Sequence, residues 1–201
     1  MNYRMIGNII GKIMTLLAVL MILPLIVCVI YEEDLINYVA FLVPMIILFV
    51  VGRILYIKKA ESNTLLAREG FVIVGLSWII MTLFGCLPYI ISGNIPNFFD
   101  ALFETTSGFT TTGSTIVTDY RVLDHSVMLW RSFSHWIGGM GVLVFILAII
   151  PESKDGTSIH ILRAESAGPQ VGKLVSKMQV TSRILYLIYF IYLCTTKSED
   201  L

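Results

Sequence analysis

Four long apolar runs constrain the fold more than any other feature of the sequence. They cover residues 6–30, 36–57, 70–91 and 126–150. A helix rises about 1.5 Å per residue, so roughly 20 residues cross the ~30 Å hydrocarbon layer of a membrane. Charged residues make up 14% of the 201 positions, against about 25% in an average soluble domain. The chain is therefore predicted to be an all-α, multi-pass integral membrane protein.

Charged residues alternate in sign between the connecting segments, and this predicts the orientation in the membrane. Arg4 and Lys12 flank the start of the first run, and the acids Glu32, Glu33 and Asp34 follow its end. Basic connecting segments are retained in the cytoplasm. The parts predicted to be cytoplasmic are the N-terminus, 58–69 and 151–183, and the parts predicted to face outward are 31–35 and 92–125.

The outward segment 92–125 does not have the composition of a plain solvated connector. Apolar side chains within 98–103 fall on one face of a helix. Asn94 and Pro96 are predicted to start this helix, and Gly108 to end it. It is too short to cross a membrane, but its length suits a helix that enters part-way.

The stretch from Thr110 to Ser114, TTTGS, follows this short helix. Threonines beside a glycine disfavour helix and suit an extended backbone with one residue at positive φ. Irregular backbone at membrane depth persists only where it is buried in protein or lines a water-filled cavity. A potassium filter needs such a stretch, because its backbone carbonyls must replace the hydration shell of the ion. A surface loop rich in threonine and glycine is the alternative for this stretch taken alone.

Two longer motifs indicate a family. They are TTSGFTTTGS at 105–114 and WRSFSHWIGGMG at 130–141, with SAGPQ at 166–170 as a third match. On these motifs the chain resembles the Trk/Ktr/HKT superfamily of potassium transporters. More closely, it resembles the N-terminal portion of bacterial TrkH-type potassium uptake subunits, including their two extra N-terminal spans.

The resemblance implies a potassium-channel-like architecture in which helix–pore-helix–filter–helix repeats surround one path with pseudo-fourfold symmetry. It implies that the backbone carbonyls of Thr111 and Thr112 bind potassium, that Gly113 is the filter glycine, and that Thr110 and Ser114 flank them. It also implies potassium uptake across the bacterial inner membrane without a cofactor. Such proteins form homodimers and bind a cytosolic nucleotide-binding regulatory subunit.

The predicted organisation contains a single complete repeat. It comprises two N-terminal helices in 1–58, the first repeat in 70–150, a cytoplasmic loop in 151–183 and the opening of a second repeat in 184–201. Because one repeat cannot enclose an ion, these residues are expected to be the truncated N-terminal part of a longer chain, or else several copies must assemble. The alternative function is that of a non-conducting fragment or a membrane scaffold protein.

Several other side chains attract attention in the sequence. Glu104, in the short helix, either supports the filter through serine or threonine hydroxyls or faces outer water. The glycines of 138–141 are interpreted as close-packing positions around the short helix. His135 and Trp136, beside Arg131, are interpreted as interfacial anchors, with electrostatics at an outer mouth as the alternative.

Other classes of function have less support. The histidines are scattered, and a membrane enzyme using His135 with Asp124 or Glu104 has no second motif, so the chain is predicted not to be an enzyme. The net charge is zero, which gives no reason to expect a nucleic-acid partner. The expected partners are potassium and membrane lipid. The three cysteines lie in apolar runs and are expected to be buried and unpaired: Cys28, Cys86 and Cys194.

Overall fold

The computed structural model describes residues 3–57 and 67–139, and every regular element in this part of the chain is helical. In chain order the elements are α1 Tyr3–Leu20, α2 Ile22–Ile30, α3 Leu35–Ile57, α4 Ala67–Gly85, α5 Leu87–Ile91, α6 Phe98–Phe109, a 3-10 turn Tyr120–Val122 and α7 His125–Gly139. The predicted all-α fold class is confirmed. The predicted loop 151–183 and the predicted second-repeat opening 184–201 lie outside the described residues.

Within the described ranges 3–57 and 67–139, three helical stretches are long and apolar enough to cross a membrane. They are Tyr3–Ile30, Leu35–Tyr56 and Glu69–Ile91, which lie close to the first three predicted runs. Helix α7 begins at His125, beside the predicted start of the fourth run, and the remainder of that run, 140–150, lies outside the described residues. Large apolar side chains such as Val29 and Ile54 are exposed on these stretches, as expected where a helix faces lipid.

Two prolines divide the first and third spans into consecutive helices. Proline has no N–H to donate to the carbonyl four residues earlier, and its ring clashes with that carbonyl. Pro24 therefore leaves the carbonyl of Leu20 without its helical partner, and α1 ends there. Pro88 has the same effect at the end of α4. Pro44 lies inside α3 without ending it, which membrane helices tolerate.

Helices α1 and α3 cross at a pair of glycines. A Cβ atom built on Gly11 would lie 2.6 Å from the carbonyl oxygen of Gly52. One built on Gly52 would lie 2.8 Å from both the carbonyl oxygen of Gly11 and Thr15 Oγ1. Small residues allow membrane helices to approach this closely, and dispersion contacts between the backbones then hold them together.

The two ends of the bundle are fixed by different polar contacts. At one end Asn8 Nδ2 donates to the carbonyl oxygen of Tyr56 at 3.0 Å, and Lys12 Nζ lies 5.7 Å from the Tyr56 ring centroid. At the other end the backbone N–H of Ser126 donates to Glu33 Oε1 at 2.8 Å. The two segments predicted to face outward therefore lie together, at the end opposite the N-terminus. Which end is cytoplasmic stays a prediction.

Substituting Gly52 with alanine is expected to destabilise the fold by about 1–3 kcal/mol, because the added methyl group overpacks the crossing. The measurement is the unfolding midpoint of the purified protein in detergent. Gly75→Ala is the matched control, since no atom lies within 4 Å of a Cβ built at this α4 glycine. Equal midpoints for the two variants would contradict the packing role of the crossing.

Candidate functional site

The short helix predicted within 92–125 is α6, and it begins later than predicted. Its N-cap is Asn97, whose Oδ1 accepts from the backbone N–H of Phe99 at 2.9 Å. Asn94 and Pro96 therefore do not start the helix, and that prediction is wrong. Asn97 displaces them because an asparagine directly before the first apolar residue satisfies a free N–H of the first turn. With 12 residues, α6 is too short to cross a membrane.

The end of α6 also differs from the prediction, because Gly108 lies inside the helix. The helix ends after Phe109 in a Schellman motif, in which the N–H of Thr112 donates to the carbonyl of Ser107 and that of Thr111 to the carbonyl of Gly108. The left-handed position of such a motif is usually glycine, but here it is Thr111, at φ 56°. A β-branched residue in this conformation costs roughly 1–2 kcal/mol.

Gly108 serves a different purpose from the one predicted. A Cβ atom added there would overlap Ser134 Oγ of α7, so the absent side chain allows α6 and α7 to touch. Gly138 has the same role on α7, one turn after Ser134, because a Cβ atom there would overlap the carbonyl group of Phe109. The interpretation of Gly138 as a close-packing position next to the short helix is confirmed.

The segment from Thr110 to Ser114 leaves this helix end with its residues exposed. Gly113 adopts φ 75°, and no atom lies within 4 Å of a Cβ built on it. The carbonyl oxygen of Ser114 is occupied, since Ser107 Oγ donates to it at 2.5 Å. Among the residues that the structure describes, no hydrogen bond occupies the backbone carbonyl oxygens of Thr111 and Thr112. These are the two carbonyls predicted to bind potassium.

Glu104 supports the chain that follows this segment, and its carboxylate is fully buried. Thr115 Oγ1 donates to the carboxylate, 3.0 Å from each oxygen, and the backbone N–H of Ile116 donates to Oε2 at 3.1 Å. Arg131 Nε of α7 donates to Oε1 at 2.5 Å. Of the two alternatives left open by the sequence, contact with a threonine hydroxyl is the one observed, and exposure to outer water is not.

Phe109 anchors the C-terminal end of α6 in the protein. Its side chain is fully buried, and its ring packs edge-on against Trp130 with centroids 6.2 Å apart. Trp130 Nε1 donates to the carbonyl oxygen of Gly85 at 2.9 Å, where α4 ends. A Cβ atom on Gly85 would meet the Phe109 ring at 2.8 Å. The exposed segment after α6 therefore starts from a rigidly packed residue.

Two side-chain contacts that the sequence did not reveal hold the rest of the site. Asn94 Nδ2 donates to Asp124 Oδ2 at 2.7 Å, and the N–H of Asp124 donates back to Asn94 Oδ1 at 3.0 Å. Glu33 caps α7, accepting from the N–H of Ser126 at 2.8 Å and from its hydroxyl at 2.5 Å. Three adjacent acids gave no local signal that Glu33, with a side chain 6% exposed, would fold inward.

The residues considered for a membrane enzyme are not brought together. Glu104 is paired with Arg131, and Asp124 is paired with Asn94. The Nδ1 atom of His135 lies 3.0 Å from the carbonyl oxygen of Arg131. Glu104 and His135 both contact Arg131, one at its guanidinium and the other at its carbonyl oxygen, and among the described residues no hydrogen bond joins any two of Glu104, Asp124 and His135.

The remaining residues singled out in the sequence have structural contacts. Cys28 and Cys86 are fully buried free thiols, as predicted, and Cys194 lies outside the described residues. Trp136 stacks on Phe133 with ring centroids 5.3 Å apart, so the two rings form one aromatic surface on α7.

Comparison with known proteins assigns a family. Residues 38–195 match the family model TrkH, described as cation transport protein. The chain belongs to the TrkH family. The Trk system potassium uptake protein TrkH of Salmonella typhimurium is 36% identical over 193 residues, which cover 94% of this chain and 39% of that protein. The Trk system potassium uptake protein TrkG of Escherichia coli is 31% identical over 191 residues.

The fold agrees with this family. The crystal structure of the potassium transporter TrkH from Vibrio parahaemolyticus matches with a TM-score of 0.73 at 28% identity, covering 94% of this chain and 37% of that one. The chain spans about 39% of the length of the curated relatives it matches.

Removing the cap from α7 is expected to loosen its first turn. Glu33→Ala leaves the N–H of Ser126 without its acceptor, and loss of an N-terminal cap costs about 0.5–2 kcal/mol. Amide hydrogen exchange at 125–128 in detergent should accelerate in this variant. Glu32→Ala is the control, because Glu32 is the exposed neighbour of Glu33 and its substitution removes the same charge. Equal acceleration in both variants would show that charge, not capping, is responsible.

Proposed function

We propose that this chain is the N-terminal part of a potassium uptake subunit in the bacterial inner membrane, with its N-terminus in the cytoplasm. The observation that carries the proposal is that the carbonyl oxygens of Thr111 and Thr112 accept no hydrogen bond from any residue that the structure describes. They lie on exposed backbone directly after a helix too short to cross the membrane. Membrane-depth backbone of this kind needs protein or a water-filled path around it.

The proposed chemistry is coordination of a dehydrated potassium ion by backbone carbonyls. Carbonyl oxygens of Thr111 and Thr112 replace part of its hydration shell. Gly113, at φ 75°, lets the chain turn without a Cβ atom beside the path. The C-terminal end of α6 faces the same segment, and its partial negative charge favours a cation there. Thr110 and Ser114 flank the ligating residues.

One such segment supplies only part of an ion's coordination shell. The exposed side of Thr110 to Ser114 is therefore proposed to meet equivalent segments, either from further repeats of the same chain or from other copies. The relatives' names describe them as potassium uptake proteins. For the whole protein we propose the same activity, a homodimeric assembly and a cytosolic nucleotide-binding regulatory subunit. No catalytic activity is proposed.

The orientation proposal has its own support. Lys12 and Arg53 both lie close to the Tyr56 ring at the N-terminal end of the bundle. Glu33 and Asp124 lie at the opposite end, where the described loops contain acids. Basic residues are enriched on the cytoplasmic side of membrane proteins.

Rubidium uptake by cells that lack potassium import tests the function. The cells express either the 201 residues alone or the complete reading frame that contains them, and uptake is expected from the complete frame. Uptake by the 201 residues alone would require several copies to build the path. Absence of uptake from both would favour the non-conducting or scaffold alternative.

The filter assignment is tested by placing aspartate at two glycines. Gly113→Asp is expected to reduce rubidium uptake to the level of cells without the gene, because its carboxylate and Cβ alter the ligating backbone. Gly93→Asp is the matched control, since Gly93 has φ 79° and equally open surroundings but lies between α5 and α6. Similar strain is therefore introduced in both variants. Uptake that survives Gly113→Asp would contradict the filter assignment.

A further inference from the structure

The carboxylate of Glu104 connects parts of the chain that are distant in sequence. It lies in α6, before the exposed segment 110–114, and holds Thr115 and Ile116 directly after that segment. It also accepts from Arg131 of α7. The segment 110–114 is therefore fixed at one end by the α6 helix end and at the other by this carboxylate.

Both oxygens of the carboxylate are used in these contacts. Oε1 accepts from Arg131 Nε and Thr115 Oγ1, and Oε2 accepts from Thr115 Oγ1 and the N–H of Ile116. The side chain is 0% exposed, and the guanidinium neutralises its charge. Glu104 is therefore unsuited to bind a passing cation, and its contacts act on the backbone.

Arg131 is itself held in place. Its guanidinium carbon lies 4.8 Å from the centroid of the Tyr120 ring, a cation–π contact. Its side chain is 15% exposed, so the arginine extends from the buried carboxylate toward solvent. The planar guanidinium loses less freedom per hydrogen bond than a lysine would, which suits a fixed position.

Stability alone is a weak explanation for this pair. Removing two charges from water costs several kcal/mol per ion, and well-packed apolar residues often stabilise a fold as well as a buried ion pair does. Charge-assisted hydrogen bonds do, however, fix distances and directions tightly. The contacts of the pair fall on Thr115 and Ile116, next to the segment proposed to bind potassium.

We propose that Glu104 and Arg131 are a positioning pair that sets the ion selectivity of the 110–114 segment by fixing the backbone immediately after it. The inference rests on the proposed function, since selectivity has meaning only if this segment contacts the ion. With the pair intact, the spacing of the carbonyls of Thr111 and Thr112 is constrained from both sides. Without it, the segment relaxes and accepts ions of other sizes.

Hydrogen exchange tests the positioning role without requiring transport. Glu104→Gln removes the charge but keeps the shape, and exchange of a peptide covering 112–118 is followed by mass spectrometry on the purified complete protein in detergent. The exchange rate at Ile116 is expected to rise by roughly tenfold, as for loss of a charge-assisted hydrogen bond. Asp100→Asn is the control, because it neutralises an exposed acid in the first turn of the same helix. An unchanged rate in Glu104→Gln overturns the proposal.

Ion competition tests the selectivity role. Cells expressing the complete frame are assayed for the ratio of rubidium to sodium uptake, with the amount of protein in the membrane measured by immunoblot. Glu104→Gln and Arg131→Gln are each expected to lower this ratio by several-fold, and the double variant by less than the product of the two, since it leaves no unpaired buried charge. A lower protein amount with an unchanged ratio would show that the pair only stabilises the fold and would overturn the proposal.

A third variant tests the proposal if the Glu104→Gln protein does not reach the membrane in measurable amount. Thr115→Val keeps the buried pair and removes the hydroxyl, which is one of the two groups through which Glu104 holds the segment. A lower rubidium to sodium ratio is again expected, and an unchanged ratio overturns the proposal. Absence of rubidium uptake from the unsubstituted frame contradicts the proposed function instead. The exchange measurement then decides the positioning role by itself.

Discussion

Backbone that leaves a helix inside a membrane has no water to satisfy its polar groups, and each unsatisfied group costs several kcal/mol there. In the proposed potassium path that constraint applies from Thr110 onward, where α6 ends. Its protein-facing side is satisfied by groups within the chain. The N–H groups of Thr111 and Thr112 donate to carbonyl oxygens in the last turn of α6, and the N–H of Ile116 donates to the buried carboxylate of Glu104. Among the described residues no hydrogen bond occupies the carbonyl oxygens of Thr111 and Thr112, which are the groups that the proposed cation path requires.

The same constraint explains where the small residues are. For α6 to deliver its C-terminal end to a fixed place, neighbouring backbones must come closer than side chains normally allow. Gly138 allows the α7 backbone to approach the Phe109 carbonyl group, and Gly85 leaves room at the end of α4 for the Phe109 ring. Glycine costs about 1 kcal/mol in a helix relative to alanine, and the close contacts it permits offset that cost.

The sequence predicted the first three spans well because hydropathy is summed over about 20 residues, so errors at single positions average out. It predicted the ends of α6 poorly, since a cap is decided by one or two residues. Asn94 and Asn97 are equally suitable in composition, and only the fold assigns Asn94 to Asp124. Gly108 is used for contact with α7, and the positive φ falls on Thr111 instead. The partners of Glu33 and Glu104 lie far along the chain, where no local pattern identifies them.

The reciprocal hydrogen bonds between Asn94 and Asp124 join the two ends of the segment 94–124, which contains α6, and so close it into a loop. Closing a loop of this length costs only a slowly growing entropy, and the interior of the closed loop is packed against the flanking helices through Phe109 and Glu104. The segment 94–124 is thus held at two levels, by its own two ends at the base and by α7 in its interior.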